Sequence, residues 1–277
     1  MMKRYVLVIN VIYIVLIPIW VLLLGALYNF NIGFSWGPQP ELFVSESFTI
    51  LNMVFLFLSA VTLLGIGILL LSRYIKRRKD ALLLLGMANI IISFGLFFDG
   101  VRKYMTITVW PYRNMVEIMA LFVIAWGMIF YYLFLQEIFN GNHDFKAHRR
   151  SHIIYITLTI ATNLFFIGFP ELVDPFITNI FAYIPMLILI IALGSWQISA
   201  AMRLVKKTND KRARIGIIMI GYSAIFYLAI IAVVGLKKII FELDVLLSIL
   251  LFAWSVVNYI GFIYPSKKKE EDIQIQE

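Results

Sequence analysis

The sequence predicts an all-α, polytopic membrane protein with eight transmembrane helices and both termini in the cytoplasm. Three observations support this fold class: the composition, the spacing of the apolar runs and the placement of Lys and Arg. The chain has 277 residues, of which 62% are hydrophobic and 14% charged, and its mean hydropathy is +0.90. Soluble domains carry about 25% charged residues, so most of this chain is expected to face lipid or neighbouring helices.

Eight segments are long and apolar enough to be read as spanning helices, which need about 20 predominantly apolar residues each. They cover residues 5–28, 47–72, 81–99, 115–136, 152–169, 175–203, 215–236 and 245–264. Asp174 and Pro175 form an N-cap followed by proline at the first helical position, so the sixth helix is expected to begin there. Asp80 precedes the third run and can cap it in the same way.

The positive charges alternate from one connection to the next. All but five of the 24 Lys and Arg residues fall at the two termini or in every second connection. The exceptions are Arg102, Lys103, Arg113, Lys237 and Lys238. Cytoplasmic connections are enriched in Lys and Arg, which places both termini inside. The predicted location is therefore the cell membrane, as a multi-pass protein.

The first apolar run has a second interpretation, because Met1–Arg4 followed by apolar residues resembles the start of a signal peptide. The run is longer than the 7–15 residues of a typical signal core and no small-residue cleavage site follows it. We interpret it as a true first helix. Its removal would leave a seven-helix protein with the N-terminus outside.

Residues 1–265 are predicted to form one transmembrane helical domain, and residues 266–277 a charged cytoplasmic tail. An internal repeat would divide that domain into four-helix halves, 1–140 and 141–265. At an offset of 135 residues, 76–103 aligns without gaps onto 211–238, and Gly86 meets Gly221. Two parallel halves of this kind occur in some transporters.

The first candidate site lies where the third and fourth helices are predicted to reach the outer surface. Its ligand-binding candidates are Asp99, Arg102, Arg113 and Glu117. Asp99 and Arg102 are three residues apart and hence neighbours on one helix face. Ionisable residues at a membrane suggest function, whereas the structural alternative is a simple ion pair between Asp99 and Arg102.

The second candidate set consists of amides predicted to lie at mid-membrane depth: Asn89, Asn163, Gln197 and Asn258. Amides within a bilayer usually form hydrogen bonds between helices, so packing is the structural alternative. They would line a substrate path only if several converge on a water-filled cavity. The clear absence of a carboxylate or Lys at mid-depth argues against a buried proton relay.

The third candidate is a metal site. In a helical connection Asp144, His148 and His152 would share one face, and this donor set suits a divalent metal. The neighbouring Lys146, Arg149 and Arg150 would repel such a cation, which favours a basic loop at the membrane surface instead.

The sequence gives no support for cysteine chemistry, for an enzyme or for a nucleic-acid-binding protein. The chain has no cysteine, which excludes disulfides and thiolate ligands. It contains no motif of a zinc protease, an α/β-hydrolase or a P-loop enzyme, so we expect neither enzymatic activity nor a cofactor. The net charge of +8 lies at the predicted membrane boundaries, which indicates anionic lipid headgroups as partners rather than nucleic acid. A protein partner or a homo-oligomer is also compatible with the sequence.

Part of the chain resembles a known family. The basic turn at residues 77–80 leads into an apolar helix that begins Ala-Leu-Leu-Leu-Leu-Gly, and a second basic turn spans residues 206–214. In this pattern, residues 47–265 resemble the seven-helix membrane sensor region found N-terminal to some histidine kinases. The resemblance implies binding of an external ligand and signalling to a separate partner, although this chain has an additional first helix and no output domain after residue 265.

Three functions follow from these observations. The first is a sensor or receptor-like helical bundle with an outward-facing ligand pocket. The second is a small-molecule transporter built from two parallel four-helix halves, with a site near the membrane midplane. The third is a structural membrane subunit in which the amides serve only for packing.

Overall fold

The chain is helical throughout the part described by the structure, a computed structural model that covers residues 2–29, 46–107, 113–144, 149–168, 175–236 and 243–263. These residues form eight α-helices and no β-strand, as predicted for the fold class. The helices are α1 (Met2–Asn29), α2 (Glu46–Arg77), α3 (Asp80–Ile107), α4 (Arg113–Asp144), α5 (Arg149–Gly168), α6 (Pro175–Lys207), α7 (Lys211–Leu236) and α8 (Leu243–Ile263).

Four stretches of the described helices are long and apolar enough to cross a membrane: Thr49–Arg77, Asp80–Met105, Phe122–Phe139 and Ile188–Lys207. They lie in α2, α3, α4 and α6. Length and composition thus support a membrane protein.

The ends of several helices follow from local sequence. The third and sixth helices begin at Asp80 and Pro175, where capping was expected. Asp210 caps α7, because its Oδ1 accepts a hydrogen bond of 2.9 Å from the amide of Arg212. Between α2 and α3 the chain reverses at Arg78, whose φ of 54° lies in the left-handed region typical of a helix C-terminus.

The chain divides into two compact units, Met1–Ile188 and Leu189–Glu277. In the first unit α2, α3 and α4 pack side by side in sequence order, and α1 and α5 pack against α4. In the second unit α7 packs against α8, and the second half of α6 contacts α7.

Glycines allow the helices of the first unit to approach backbone to backbone. A Cβ atom added to Gly95 on α3 would lie 3.0 Å from both the carbonyl oxygen of Ala120 and the nitrogen of Ile124 on α4. Gly127 on α4 meets Ala88 and Ile92 of α3 in the same way, at 3.1 and 3.0 Å. The contact between α3 and α4 is therefore reciprocal, and the two helices run antiparallel.

The same arrangement recurs at two other helix pairs. Gly67 of α2 faces Gly86 and Ile90 of α3, and Gly261 of α8 faces Gly216 and Ile220 of α7. In all four contacts the glycine lies against a small residue and an isoleucine four positions later. Small residues at helix interfaces are the usual route to close packing in lipid.

The first helix packs against α4 through aromatic rings. Tyr13, which is fully buried, stacks on Trp126 with ring centroids 5.2 Å apart and planes within 3°. It also contacts Phe122 at 5.0 Å. Ile9 and Val6, one and two turns before Tyr13, are buried on the same side of α1.

Candidate functional site

One end of α3 carries a cluster of charged residues, Asp99, Arg102 and Lys103, which we call the ion-pair cluster. The Nε atom of Arg102 donates a hydrogen bond of 2.7 Å to Oδ1 of Asp99, one helical turn away. The two side chains are only 13% and 23% exposed, and Lys103 is 7% exposed. Three ionisable side chains are thus largely withdrawn from solvent at one end of one helix.

The packing of the neighbouring helices determines what surrounds this cluster. Gly100 lies against the ring of Phe57 on α2, and this antiparallel register places Asn52 level with Lys103. Asn52 is buried, so α2 contributes an amide at the same depth. Asn52 was not among the predicted site residues, although an isolated amide near one end of an apolar run is a signal that is visible in the sequence.

The other two residues predicted for this site begin α4. The contacts of Gly95 with Ala120 and Ile124 place the first turns of α4 level with the ion-pair cluster. The side chains of Arg113 and Glu117 lie outside the described residues. The structure therefore brings Asp99 and Arg102 together, and the roles of Arg113 and Glu117 stay predictions.

Gln197 forms a hydrogen-bond network between α6 and α7. Its Nε2 donates to the carbonyl oxygen of Ile220 at 2.5 Å and to Oγ of Ser223 at 3.2 Å. Ser223 in turn donates to the same carbonyl at 2.7 Å. Both polar side chains are completely buried, so this amide joins two helices.

The remaining predicted amides have different surroundings. Asn258 is buried on α8 and donates to the carbonyl oxygen of Trp254 in its own helix, at 2.9 Å. Asn89 is 2% exposed, and its Nδ2 has no hydrogen-bond partner among the described residues. The side chain of Asn163 lies outside the described residues. Convergence of all four amides on one path stays a prediction.

The metal candidates fall largely outside the described residues. The side chain of Asp144 and all of His148 lie there, whereas His152 is described. Within the described part of the chain, no group of three or more His, Asp or Glu residues is arranged to hold a metal ion. Of the three predicted metal ligands, only His152 has a described side chain, and the metal site stays a prediction.

His152 instead belongs to a buried polar cluster between α4 and α5. Its Nδ1 lies 3.1 Å from the hydroxyl of Tyr132, and the two rings pack edge to face. Tyr132 also stacks on Tyr155, with centroids 4.0 Å apart, and forms a hydrogen bond with Gln136. We call Tyr132, Gln136, His152 and Tyr155 the tyrosine–histidine cluster.

This cluster was missed because its members come from two helices. The spacing of four between Tyr132 and Gln136 is visible in the sequence, but the pairing of α4 with α5 is not. His152 is 1% exposed and Tyr132 is 6% exposed, so the contact anchors the start of α5 in the first unit.

The two clusters lie at opposite ends of the α3–α4 pair. The glycine contacts place Asp99 level with the start of α4, near Ala120, and Tyr132 level with the first turns of α3. Since a helix rises 1.5 Å per residue, the two levels are about 20 Å apart. A partly buried charged site and a buried polar helix contact are therefore connected by one closely packed pair of helices.

Comparison with known proteins yields no relative. No protein-family model, no curated protein and no solved structure matches this chain.

Proposed function

We propose that this protein is a receptor-like bundle of the cell membrane that binds an external ligand at the ion-pair cluster and signals to a separate partner. In this proposal all eight helices span the membrane, both termini are cytoplasmic and the ion-pair cluster lies at the outer end of α3. The alternation of Lys and Arg supports this orientation. The observation that carries the proposal is the placement of two polar clusters at opposite ends of the α3–α4 pair.

The chemistry of the ion-pair cluster indicates the class of ligand. It combines two cationic side chains with one carboxylate, and all three are partly or fully buried. Hydrogen bonds to ionised groups are stronger than those between neutral groups, and low local polarity increases the effect. A small molecule with a carboxylate, sulfate or phosphate group has the chemistry that buried cationic side chains bind.

The reciprocal glycine contacts support a route for the signal. Closely packed helices shift between discrete arrangements rather than deforming continuously. A ligand that moves the outer end of α3 would therefore move α4 with it. The tyrosine–histidine cluster at the other end would then pass the displacement to α5.

Ligand-dependent stability tests this proposal directly. The full-length protein in lipid nanodiscs would be heated with succinate, sulfate or phosphate, against potassium chloride at equal ionic strength. We expect at least one anion to raise the Tm of the wild type and to leave the double variant Arg102→Gln/Lys103→Gln unchanged. Lys76→Gln, exposed in the last turn of α2, is the control and should respond like the wild type. Equal responses of wild type and double variant would contradict the proposal.

One observation favours the transporter as a second candidate. At the predicted repeat offset, Gly86 faces α2 through Leu71 and Gly67, and its counterpart Gly221 faces α6 through Ala201. Each glycine thus contacts the preceding helix of its own unit. The match is incomplete. Gly127 and Gly261 do not correspond at this offset, and neither do the residues they contact, which are Ala88 and Ile92 on α3 and Gly216 and Ile220 on α7. A transporter would expose mid-depth positions such as Asn89 to water from both sides, whereas the receptor would not.

A further inference from the structure

The turn between α6 and α7 is surrounded by cationic side chains. Six Lys and Arg residues, which we call the α6–α7 basic group, lie in this segment: Arg203, Lys206, Lys207, Lys211, Arg212 and Arg214. All are exposed except Arg212, which is half-buried. None of them forms an ion pair with another described residue. The one carboxylate in the segment belongs to Asp210, whose Oδ1 accepts a hydrogen bond from the amide of Arg212, so most of the positive charge here is uncompensated.

Packing brings the two halves of this group to one end of a helix pair. The helices contact each other where Gln197 meets Ile220 and where Gly221 lies against Ala201. Because only residues 208–210 separate α6 from α7, the two helices run antiparallel. The last turn of α6 and the first turn of α7 are therefore side by side. Their cations repel one another, and an anion bound between them would relieve this repulsion.

The exposed side of α6 leads from apolar and small residues directly to two of these cations. Five exposed positions recur at helical spacing along this side: Ser195, Ser199, Met202, Arg203 and Lys206. They belong to the apolar stretch Ile188–Lys207, which is long enough to cross a membrane. From Ser195 to Lys206 the helix rises about 16 Å. An apolar surface that ends in cations matches a phospholipid, in which acyl chains are joined to a charged headgroup.

The turn between α2 and α3 is also basic, but its charge is compensated within the chain. Its cations are Arg73, Lys76, Arg77, Arg78 and Lys79. Arg73 and Arg77 already have interactions within the protein. Asp80 begins α3, and the carboxylate of Glu137 is close enough to interact with it. Two carboxylates therefore lie at this end of the first unit, which makes the α2–α3 turn the natural comparison for the α6–α7 basic group.

We propose that the α6–α7 basic group binds the phosphate of an anionic glycerophospholipid, such as phosphatidylglycerol, whose acyl chains lie along the exposed side of α6. Clusters of about four to eight Lys and Arg residues next to a membrane-spanning helix attract anionic lipids, and hydrogen bonds from cations to phosphate are among the strong ones. The lipid would join the end of α6 to the start of α7. This site needs a membrane but not a receptor, so its failure would leave the proposed function untouched.

Lipid-dependent stability tests the proposal. The Tm of the full-length protein would be measured in nanodiscs of phosphatidylcholine, with and without added phosphatidylglycerol. We expect the anionic lipid to raise the Tm of the wild type by several degrees. The variant Arg203→Gln/Lys206→Gln/Lys211→Gln should lose most of this rise, and its Tm in phosphatidylcholine alone shows whether it folds. A wild type that does not respond to phosphatidylglycerol would overturn the proposal.

The matched control is Lys76→Gln/Arg78→Gln/Lys79→Gln, which removes one Arg and two Lys residues from the α2–α3 turn and changes the net charge equally. It should keep the response of the wild type, whereas equal losses in both variants would show only a general attraction to anionic membranes and overturn the site.

Two further measurements identify the source of the phosphate. Native mass spectrometry of the detergent-solubilised protein should show retained phosphatidylglycerol in the wild type and in the control, and several-fold less in the α6–α7 variant. Inorganic phosphate added to phosphatidylcholine nanodiscs, against potassium chloride at equal ionic strength, should leave the Tm unchanged. A rise as large as that caused by phosphatidylglycerol would show that the group binds a soluble anion, and would contradict a lipid site.

Discussion

The contact between α3 and α4 in the first unit and the contact between α6 and α7 in the second unit are held together by different means. In the first unit α2, α3 and α4 meet at glycines, and the backbone of each helix lies against the next. In the second unit the contact between α6 and α7 combines Gly221 with the buried network of Gln197 and Ser223. Lipid provides little hydrophobic driving force between helices, so close packing and hydrogen bonds are the available sources of stability.

This difference bears on what each unit can do. Contacts defined by shape fix the separation and register of α3 and α4, since the backbones themselves meet at the glycines. A hydrogen-bond network orients two helices relative to each other, but its donors can change acceptors when the helices slide. In the proposed receptor, α3 and α4 would therefore transmit the signal.

Filling a glycine contact should have the largest effect. In Gly127→Val the added atoms would collide with the backbone of α3 at Ala88 and Ile92. Overpacking of this kind typically costs about 1–3 kcal/mol, measured as the change in unfolding free energy in nanodiscs. The control is Gly65→Ala, where an added Cβ meets nothing within 4 Å. If both variants unfold alike, shape does not hold the first unit together.

Removing the amide between α6 and α7 should have an intermediate effect. Gln197→Leu loses both hydrogen bonds across the contact, which we expect to cost about 1–1.5 kcal/mol. Ser199→Ala is the comparison, because the hydroxyl of Ser199 donates to the carbonyl oxygen of Ser195 in the same helix, at 2.8 Å, and its loss should cost less. The reverse ranking in an unfolding assay would show that the hydrogen bonds of Gln197 do not join the helices.

A smaller loss is expected from the tyrosine–histidine cluster. Tyr132→Phe removes the hydroxyl next to Nδ1 of His152 but keeps the ring that stacks on Tyr155. Such a bond contributes about 0.5–1 kcal/mol. A double-mutant cycle with His152→Phe measures the coupling between the two residues. Strictly additive losses would mean that the contact does not anchor α5.

The smallest effect on stability should come from the ion-pair cluster. Asp99→Asn weakens one partly exposed ion pair, which is expected to cost less than about 0.5 kcal/mol. We expect a clearer effect on the ligand-dependent rise in Tm, because Asp99 orients Arg102. Chemical denaturation of the variant provides the measurement, and a loss as great as that of Gly127→Val would show that the cluster is structural.

Much of the fold could be predicted because it follows from local sequence. The apolar runs produced eight helices, and Asp80 and Pro175 begin helices where capping rules place them. The span count and the orientation stay predictions. The spacing of Ala192, Ser195 and Ser199 is typical of a small-residue helix contact, yet all three are exposed on α6, whereas Gly194, Gln197 and Ala201 are buried. Small residues occur on several sides of this helix, so spacing alone does not select the packed side.

The candidate site was less predictable because it depends on partners far apart in sequence. The pairing of Asp99 with Arg102 is local and was visible from their spacing. The partners of Gln197 and His152 lie 20 or more residues away, on helices whose register is set by glycine contacts. A single sequence does not specify that register, and so the tyrosine–histidine cluster was missed.

Sided labelling of cysteines at mid-depth distinguishes a receptor from a transporter. Asn89→Cys and Gln197→Cys would be treated with a membrane-impermeant maleimide from each side of sealed vesicles, with Tyr104→Cys, exposed beside the ion-pair cluster, as the positive control. In a receptor, we expect labelling of Tyr104→Cys from outside only, and no labelling of Gln197→Cys or Asn89→Cys from the cytoplasmic side. Labelling of either mid-depth position from both sides would show a path across the membrane and rule out the receptor.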